Sequence, residues 1–119
     1  MDKILRQALL YDFYGELLTE HQKSIYEDFV LNDYSLSEIG EDRKISRQGV
    51  YDIIKRCDKL LNGYEEKLHL VQKFLMAKEQ VAKIHELASE ILKAEGAPDK
   101  ATEYLRQIEN ISNGILEEM

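Results

Sequence analysis

Along most of this chain apolar residues recur every three or four positions, which is the spacing of amphipathic helices. A first helix is expected over about residues 2 to 14, with Gly15 near its end. Its apolar face consists of Ile4, Leu5, Ala8 and Leu9. The pattern predicts that this face packs against the rest of the domain.

Three further helix starts are marked by capping residues. A serine or threonine side chain accepts a hydrogen bond from an otherwise unpaired first-turn amide. A glutamate or glutamine three residues later can return the bond and complete a capping box. The pairs are Thr19 with Gln22, Ser35 with Glu38, and Ser46 with Gly49. Since glycine has no side chain, we expect the third capping box to contain only the bond to the Ser46 hydroxyl and to lack the return bond.

The second half of the chain has the pattern of a long helix. A stop before it is expected at "NGY", residues 62–64, because asparagine and glycine tolerate the left-handed conformation that ends helices. No helix breaker follows until about Glu95, so the helix would be roughly 48 Å long. A helix of this length is typical of one that packs against a partner. Its apolar residues alternate steps of four and three, as in a coiled-coil seam. The seam consists of Leu70, Phe74, Ala77, Val81, Ile84, Ala88 and Ile91.

A last helix is expected over about residues 98 to 113, after Gly96 as a stop and with Pro98 in its first turn. The residues that can fold back onto the seam, to make a helical hairpin, are Ala101, Leu105, Ile108 and Ile111. Other apolar residues extend the apolar surface of the long helix beyond the area that one partner helix could cover. They are Leu68, Val71, Leu75, Leu87 and Leu92. We therefore expect two domains, residues 1–63 and 64–119, and a homodimer formed through the second.

The segment after Ser35 has the spacing of a helix-turn-helix, in which buried residues lock two helices so that the second can enter the major groove. The residues at the expected offsets are Ile39, Gly40, Ile45, Val50 and Ile53. Arg43 stands at an inward position, and we expect its stem to cover the core while its charge stays in water. Lys44 takes a turn position usual for glycine. Either the turn is reshaped, or a left-handed lysine there costs about 1 kcal/mol.

The stretch "SRQGVYDIIKR", residues 46–56, is predicted to be the recognition helix. Its inward face consists of Val50, Ile53, Ile54 and Cys57. Outward arginine, glutamine and lysine are side chains that read bases or hold phosphates, and serine and tyrosine also hold phosphates. The candidate nucleic-acid-binding residues are Lys44, Ser46, Arg47, Gln48, Tyr51, Asp52, Lys55, Arg56 and Lys59. Asp52 is the exception among them, because a carboxylate repels phosphates unless it accepts from a cytosine amine.

Charge is segregated along the chain. The formal net charge is minus 7, yet residues 43–59 hold six basic residues against two acidic ones, a local balance of plus 4. The rest of the chain therefore sums to minus 11. Such segregation lets one face attract phosphate while the remainder repels it, so an acidic chain can still bind a polyanion in one orientation.

Composition bounds the remaining possibilities. With one proline, no tryptophan and 33% charged residues, the chain of 119 residues is predicted to be all-α. No apolar stretch approaches the roughly 18 residues of a membrane span, so we expect no membrane insertion and a cytoplasmic protein. Cys57 and the three histidines have no metal-ligand spacing, and no nucleophile with a base or phosphate loop is present. We expect neither a metal, a cofactor nor an enzymatic activity.

Residues 17 to 61 resemble region 4 of bacterial sigma factors, which reads the promoter's upstream element. The similarity is carried by "LT..Q", "YSLSEIG" and "ISRQGVYD.IKR". From about residue 3 to 95 the chain is also similar to the YlxM family of small bacterial proteins, in which "YSLSEI", "SRQGVYD.IKR" and "YEEKLHL" recur in this order. This resemblance implies a sigma-region-4-like helix-turn-helix followed by a long helix, and a regulatory role. It also implies a link, through gene neighbourhood, to the signal recognition particle pathway.

Two functions stay open on the sequence. The first is a dimeric regulator that binds DNA or structured RNA through its helix-turn-helix. The second is a protein adaptor of the signal recognition particle machinery that does not bind DNA, docking through the acidic half or through the basic helix. Asp52, on the outer face of the predicted recognition helix, favours the second.

Overall fold

A computed structural model describes residues 2–93 and 98–118, and within them every regular element is helical, so the all-α prediction is confirmed. The α-helices are α1 (Lys3–Tyr14), α2 (Glu20–Val30), α3 (Leu36–Arg43), α4 (Arg47–Leu68), α5 (Leu70–Lys93) and α6 (Pro98–Glu118). A short 3-10 turn, Gly15–Leu17, follows α1. Contacts along the chain define two compact units, Met1–Val71 and Gln72–Met119. The predicted domain boundary after residue 63 stays a prediction.

The first unit is built around α4. This helix packs against α1, α2 and α3, so it lies at the centre of the unit while one of its faces stays exposed. The fully buried side chains are Leu10, Tyr14, Ile25, Tyr26, Ile39, Val50, Cys57, Leu61 and Val71. Cys57 is buried, as its place on the apolar face of α4 predicted.

The buried face of α1 differs from the prediction. Ile4 and Leu5 are 44% and 53% exposed, and Ala8 and Leu9 are half-buried. The side chains that the unit buries are Gln7, Leu10, Tyr11 and Tyr14. Their polar ends are hydrogen-bonded to neighbouring helices, from Gln7 to Asp58, from Tyr11 to Glu27 and from Tyr14 to Glu65. Tyrosine and glutamine can be buried when such acceptors lie within reach, and hydropathy alone does not reveal them.

All three predicted helix caps are confirmed. The Thr19 hydroxyl accepts from the amide of Gln22 at 3.2 Å, and the Gln22 side chain accepts in return at 3.0 Å. Ser35 and Glu38 form a second complete capping box. The Ser46 hydroxyl accepts from the amide of Gly49 at 2.9 Å, with no reciprocal side chain, as expected. Local sequence thus sets where α2, α3 and α4 begin.

The stop predicted at residues 62–64 is wrong. Helix α4 continues through "NGY" to Leu68. It ends at His69, whose backbone is left-handed with φ 56°. The single helix predicted from Tyr64 to about Glu95 is therefore two helices. A long-range contact makes the break, so its cause lies outside the local sequence.

Glu65 and Tyr14 form that contact. The Glu65 carboxylate accepts from the Tyr14 hydroxyl at 2.6 Å and from the amide of Val71 at 3.0 Å. The Tyr14 hydroxyl accepts in turn from the amide of Leu70 at 3.1 Å. These bonds satisfy first-turn amides of α5 that a continuous helix would have paired internally. Glu65 is only 7% exposed, and these hydrogen bonds compensate the burial of its carboxylate.

The second unit contains most of α5 together with α6. Helix α5 has 24 residues and is therefore about 36 Å long, shorter than predicted, while α6 ends at Glu118 rather than near residue 113. A Cβ at Gly114 would lie 3.8 Å from the Gln80 side chain, so α6 returns beside α5 as in a helical hairpin. Leu105, which was expected to face α5, is 58% exposed. None of the described helices is long and apolar enough to cross a membrane.

Candidate nucleic-acid interface

Helices α3 and α4 cross closely around Gly40. A Cβ at this position would lie 2.7 Å from the carbonyl oxygen of Ile45, closer than real side chains approach. The amide of Ile45 donates to the Gly40 carbonyl at 3.0 Å, which closes the turn. Ile39 and Val50 are fully buried on either side. The offsets predicted for a helix-turn-helix therefore hold, with Ile45 and Ile53 half-buried.

Lys44 adopts the left-handed conformation in this turn, with φ 59° and ψ 41°. The sequence left open a reshaped turn or a left-handed lysine, and the structure has the left-handed lysine. A residue with a Cβ pays about 1 kcal/mol there relative to glycine. The side chain of Lys44 is exposed, so the strained position presents a cation at the start of α4.

The charge of Arg43 is not left in water, contrary to the prediction. Its guanidinium donates to the Asp28 carboxylate at 2.8 Å and to the Ser24 carbonyl at 3.4 Å, both on α2. The side chain is only 25% exposed. Asp28 neutralises the charge where it is partly desolvated, so Arg43 ties α3 to α2 instead of adding to the basic surface.

The candidate nucleic-acid-binding residues of α4 and of the turn before it are all exposed. They are Lys44, Ser46, Arg47, Gln48, Tyr51, Asp52, Lys55, Arg56 and Lys59. Five of these nine side chains are cationic and one is acidic. This surface, which we call the α4 face, can offer donors to base edges and to phosphate oxygens.

Two contacts organise the side chains of the α4 face. The amide of Gln48 donates to the Asp52 carboxylate at 2.9 Å. The Lys55 ammonium lies 5.4 Å from the centre of the Tyr51 ring, within the range of a cation–π interaction. Both pairs are four residues apart on α4, where side chains of a helix are neighbours. The face is therefore partly arranged before any ligand arrives.

Asp58, the second acid of the basic segment, is directed inward. Its carboxylate accepts from the Tyr26 hydroxyl at 2.6 Å and from the Gln7 amide at 2.9 Å. Burial, together with this acceptor, raises the pKa of Tyr26 well above its usual range and keeps the hydroxyl protonated as a donor. Arg43 and Asp58 therefore both make internal contacts and do not contribute to the α4 face. Asp52 is the one acid among the nine residues of that face.

Two cations near this face are absent from the prediction. Lys3 and Arg6 of α1 line the same cleft as Lys55 of α4, although about 50 residues separate them in sequence. Their signal in the sequence is two cations one helical turn apart in the first helix. That signal becomes informative only when α1 is known to pack on α4 through Gln7, Leu10 and Tyr14.

Residues 1–99 match a protein family described as "Putative helix-turn-helix protein, YlxM / p13 like". A relative from Thermoanaerobacter sp. (strain X514) is 46% identical over 116 residues, 98% of this chain and 96% of the relative. The YlxM protein of Bacillus subtilis (strain 168) is 49% identical over 89 residues, 75% of this chain and 81% of its own length. A relative from Caldanaerobacter subterraneus subsp. tengcongensis is 54% identical over 85 residues, 71% of this chain and 73% of the relative.

Proposed function

The chain belongs to the UPF0122 family of YlxM- and p13-like helix-turn-helix proteins, and from that premise we propose that it is a cytoplasmic regulatory protein that binds nucleic acid. The observation that carries the proposal is the α4 face, with five cations on or beside a helix that Gly40 and Ile39 hold against α3. The family description names a helix-turn-helix and no enzymatic activity. The ligand is a DNA duplex, whose major groove admits α4, or a structured RNA, whose loops and bulges expose bases to the same side chains.

The residues of the α4 face divide into two roles. Arg47, Gln48, Tyr51 and Lys55 contact base edges. The residues that hold backbone phosphates are Lys44, Ser46, Arg56 and Lys59. The Ser46 hydroxyl oxygen caps α4, and its proton is still available to donate to a phosphate oxygen.

The test is fluorescence anisotropy of a labelled mixed-sequence DNA duplex and of a labelled RNA hairpin at several salt concentrations. Binding should weaken steeply as salt rises, because cations at the interface release counterions from the phosphates. Arg47→Ala should weaken binding about tenfold or more, the loss expected for a base-reading arginine. Arg106→Ala is the matched control, since Arg106 is an exposed arginine of α6. Salt-independent binding, or equal effects of the two variants, would overturn the proposal.

The regulator acts as a homodimer through the seam of α5. In support, Leu70 and Val81 are 41% and 55% exposed, although both are large apolar side chains. A two-fold dimer would present two copies of the α4 face, and binding to DNA would need about 34 Å, or a multiple, between them. Light scattering at the mass of one chain, 13.9 kDa, would refute the dimer.

A protein adaptor of the signal recognition particle machinery is the second candidate. The observation that favours it is the apolar surface exposed on α5 and α6, where Leu92 is 86% and Leu116 is 68% exposed. Pull-down with components of the particle separates the two functions. Retention that survives Arg47→Ala together with Lys55→Ala would favour docking outside the α4 face, whereas loss in that variant would favour the face itself.

A further inference from the structure

We propose that Lys3 and Arg6 of α1, in the cleft that Lys55 of α4 joins to the α4 face, form a second binding site for the phosphodiester backbone. The inference rests on the proposed function, because its ligand is the strand whose neighbouring bases the α4 face reads. It extends the interface from one helix to two.

The site is a cleft of about 260 Å³ between α1 and α4. Three of the side chains that line it are the cations Lys3, Arg6 and Lys55, and its polar lining also includes Gln7, Asp58 and Asn62. All three cations are exposed, so a phosphate can reach them from solvent. A concave surface in which charges of one sign predominate concentrates the field and attracts counterions more strongly than a flat surface does.

A hydrogen-bond chain orients Arg6 across the cleft. Its guanidinium donates to the Asn62 side-chain oxygen at 3.2 Å, and the Asn62 amide donates to the Asp58 carbonyl at 2.8 Å. Arginine has five N–H donors, and this contact uses one of them. The remaining donors can form the forked pair of bonds that a phosphate accepts.

Asp58 does not cancel the charge of the cleft. The same carboxylate oxygen accepts from the Tyr26 hydroxyl and from the Gln7 amide, both of which are neutral donors. Across residues 2–93 and 98–118, no ion pair involves Lys3, Arg6 or Lys55. Three positive charges therefore face one carboxylate that is bound from the protein side, which leaves a net attraction for an anion.

The position of the cleft identifies which phosphates it would hold. Lys55 belongs both to the cleft and to the α4 face, so the two surfaces are continuous. Arg56, the next residue, projects about 100° further around the helix axis, away from the side of α4 that faces Arg6. With α4 in a groove, Arg6 and Lys3 would contact the strand on one wall while Arg56 contacts the other.

The double variant Lys3→Ala with Arg6→Ala tests the site against a control with the same change of net charge. The control is Lys78→Ala with Lys83→Ala, two exposed lysines of α5. Anisotropy titrations use the labelled DNA duplex and RNA hairpin between about 50 and 200 mM salt. The cleft variant should reduce the slope of log affinity against log salt by about 1 to 2, and the control should change it much less. Preference among duplex sequences should stay unchanged, because phosphate contacts carry no sequence information.

The outcomes separate this inference from the proposed function. If Arg47→Ala weakens binding but the cleft variant matches its control, the second site is refuted and the proposed function stands. If the wild-type chain shows no salt-dependent binding, both are refuted. A reduced slope on the duplex alone assigns the site to DNA, and on the hairpin alone to RNA. Circular dichroism melting checks that the variants keep the fold, which is expected because Lys3 and Arg6 are exposed.

Discussion

The side-chain amide of Gln48 donates a 2.9 Å hydrogen bond to the carboxylate of Asp52, one turn further along α4. The bond uses one of the two N–H donors of Gln48, the side chain that would pair with an adenine edge, and it keeps the Asp52 charge within the α4 face. Because both side chains are exposed, exchanging this bond for one to water or to a base costs little. Under the proposed function, Asp52 would therefore lower the affinity of the α4 face for phosphate.

Asp52→Asn should strengthen nucleic-acid binding by a factor of about five. The substitution keeps an acceptor oxygen for Gln48 but removes a negative charge that repels phosphates, an effect of about 1 kcal/mol at an exposed site. Anisotropy titration measures the change. Glu109→Gln, which removes one exposed charge from α6, is the control and should have little effect. Weaker binding by Asp52→Asn would instead indicate that the carboxylate accepts from a base amine.

Lys44→Gly should raise the free energy of unfolding by about 1 kcal/mol, because glycine adopts the left-handed conformation without strain. Lys44→Ala keeps a Cβ and should show no such gain. Both variants lose the same cation, so both should weaken nucleic-acid binding by the same factor. Urea unfolding measures the stability difference. Equal stability of the two variants would show that the turn does not strain Lys44.

Gly40→Ala should destabilise the protein by about 1 to 3 kcal/mol, because the new methyl group would press against the Ile45 carbonyl oxygen. Gly63→Ala is the matched substitution in the same unit. A Cβ at Gly63 meets no atom within 4 Å, and alanine favours the interior of α4, so this variant should gain up to about 1 kcal/mol. Thermal unfolding of both proteins distinguishes crowding from helix propensity, since only crowding predicts opposite signs.

The features that could be predicted from the sequence are those set by neighbouring residues. The caps at Thr19, Ser35 and Ser46 and the crossing at Gly40 depend on residues within a few positions of each other. Helical periodicity was sufficient to place the nine residues of the α4 face outward, because one helix carries most of them. The motifs that carry the family resemblance are likewise short and local, and they lie between residues 34 and 70.

The features that were missed depend on contacts between distant residues. Gln7 with Asp58 and Tyr14 with Glu65 are each 51 positions apart, and these pairs decide which face of α1 is buried and where α4 ends. Arg43 finds Asp28 on another helix, 15 positions away. Arg6 reaches α4 through Asn62, 56 positions away, so the cleft beside the α4 face could not be seen in the local pattern.

The ion pair between Arg43 and Asp28 should couple α2 to α3 by about 1 to 2 kcal/mol in a double-mutant cycle. Both side chains are largely shielded from water, so the hydrogen-bonded charges attract more strongly than on an open surface. Arg43→Met preserves the apolar stem, and Asp28→Asn preserves the shape of its partner. A parallel cycle on Lys23 and Glu16 should show no measurable coupling, because Glu16 is almost fully exposed. Equal coupling in the two cycles would contradict the shielding of Arg43.

The free energy of unfolding should decrease in alkaline solution, and the deprotonation of Cys57 should cause the first part of the decrease. Burial, followed by the charge of Asp58, raises the pKa of the Cys57 thiol from its ordinary 9.0 to about 11. Burial likewise raises the pKa of Tyr14 and Tyr26 above the ordinary 10.0. The folded state thus favours the neutral forms, so their contribution is complete below about pH 9 and is lost as pH rises through the folded pKa values. Urea unfolding from neutral pH to about pH 11 should show a constant free energy that then falls. Cys57→Ala should remove the earliest part of that fall while leaving the part due to the tyrosines, and an unchanged profile in this variant would contradict the role of the thiol.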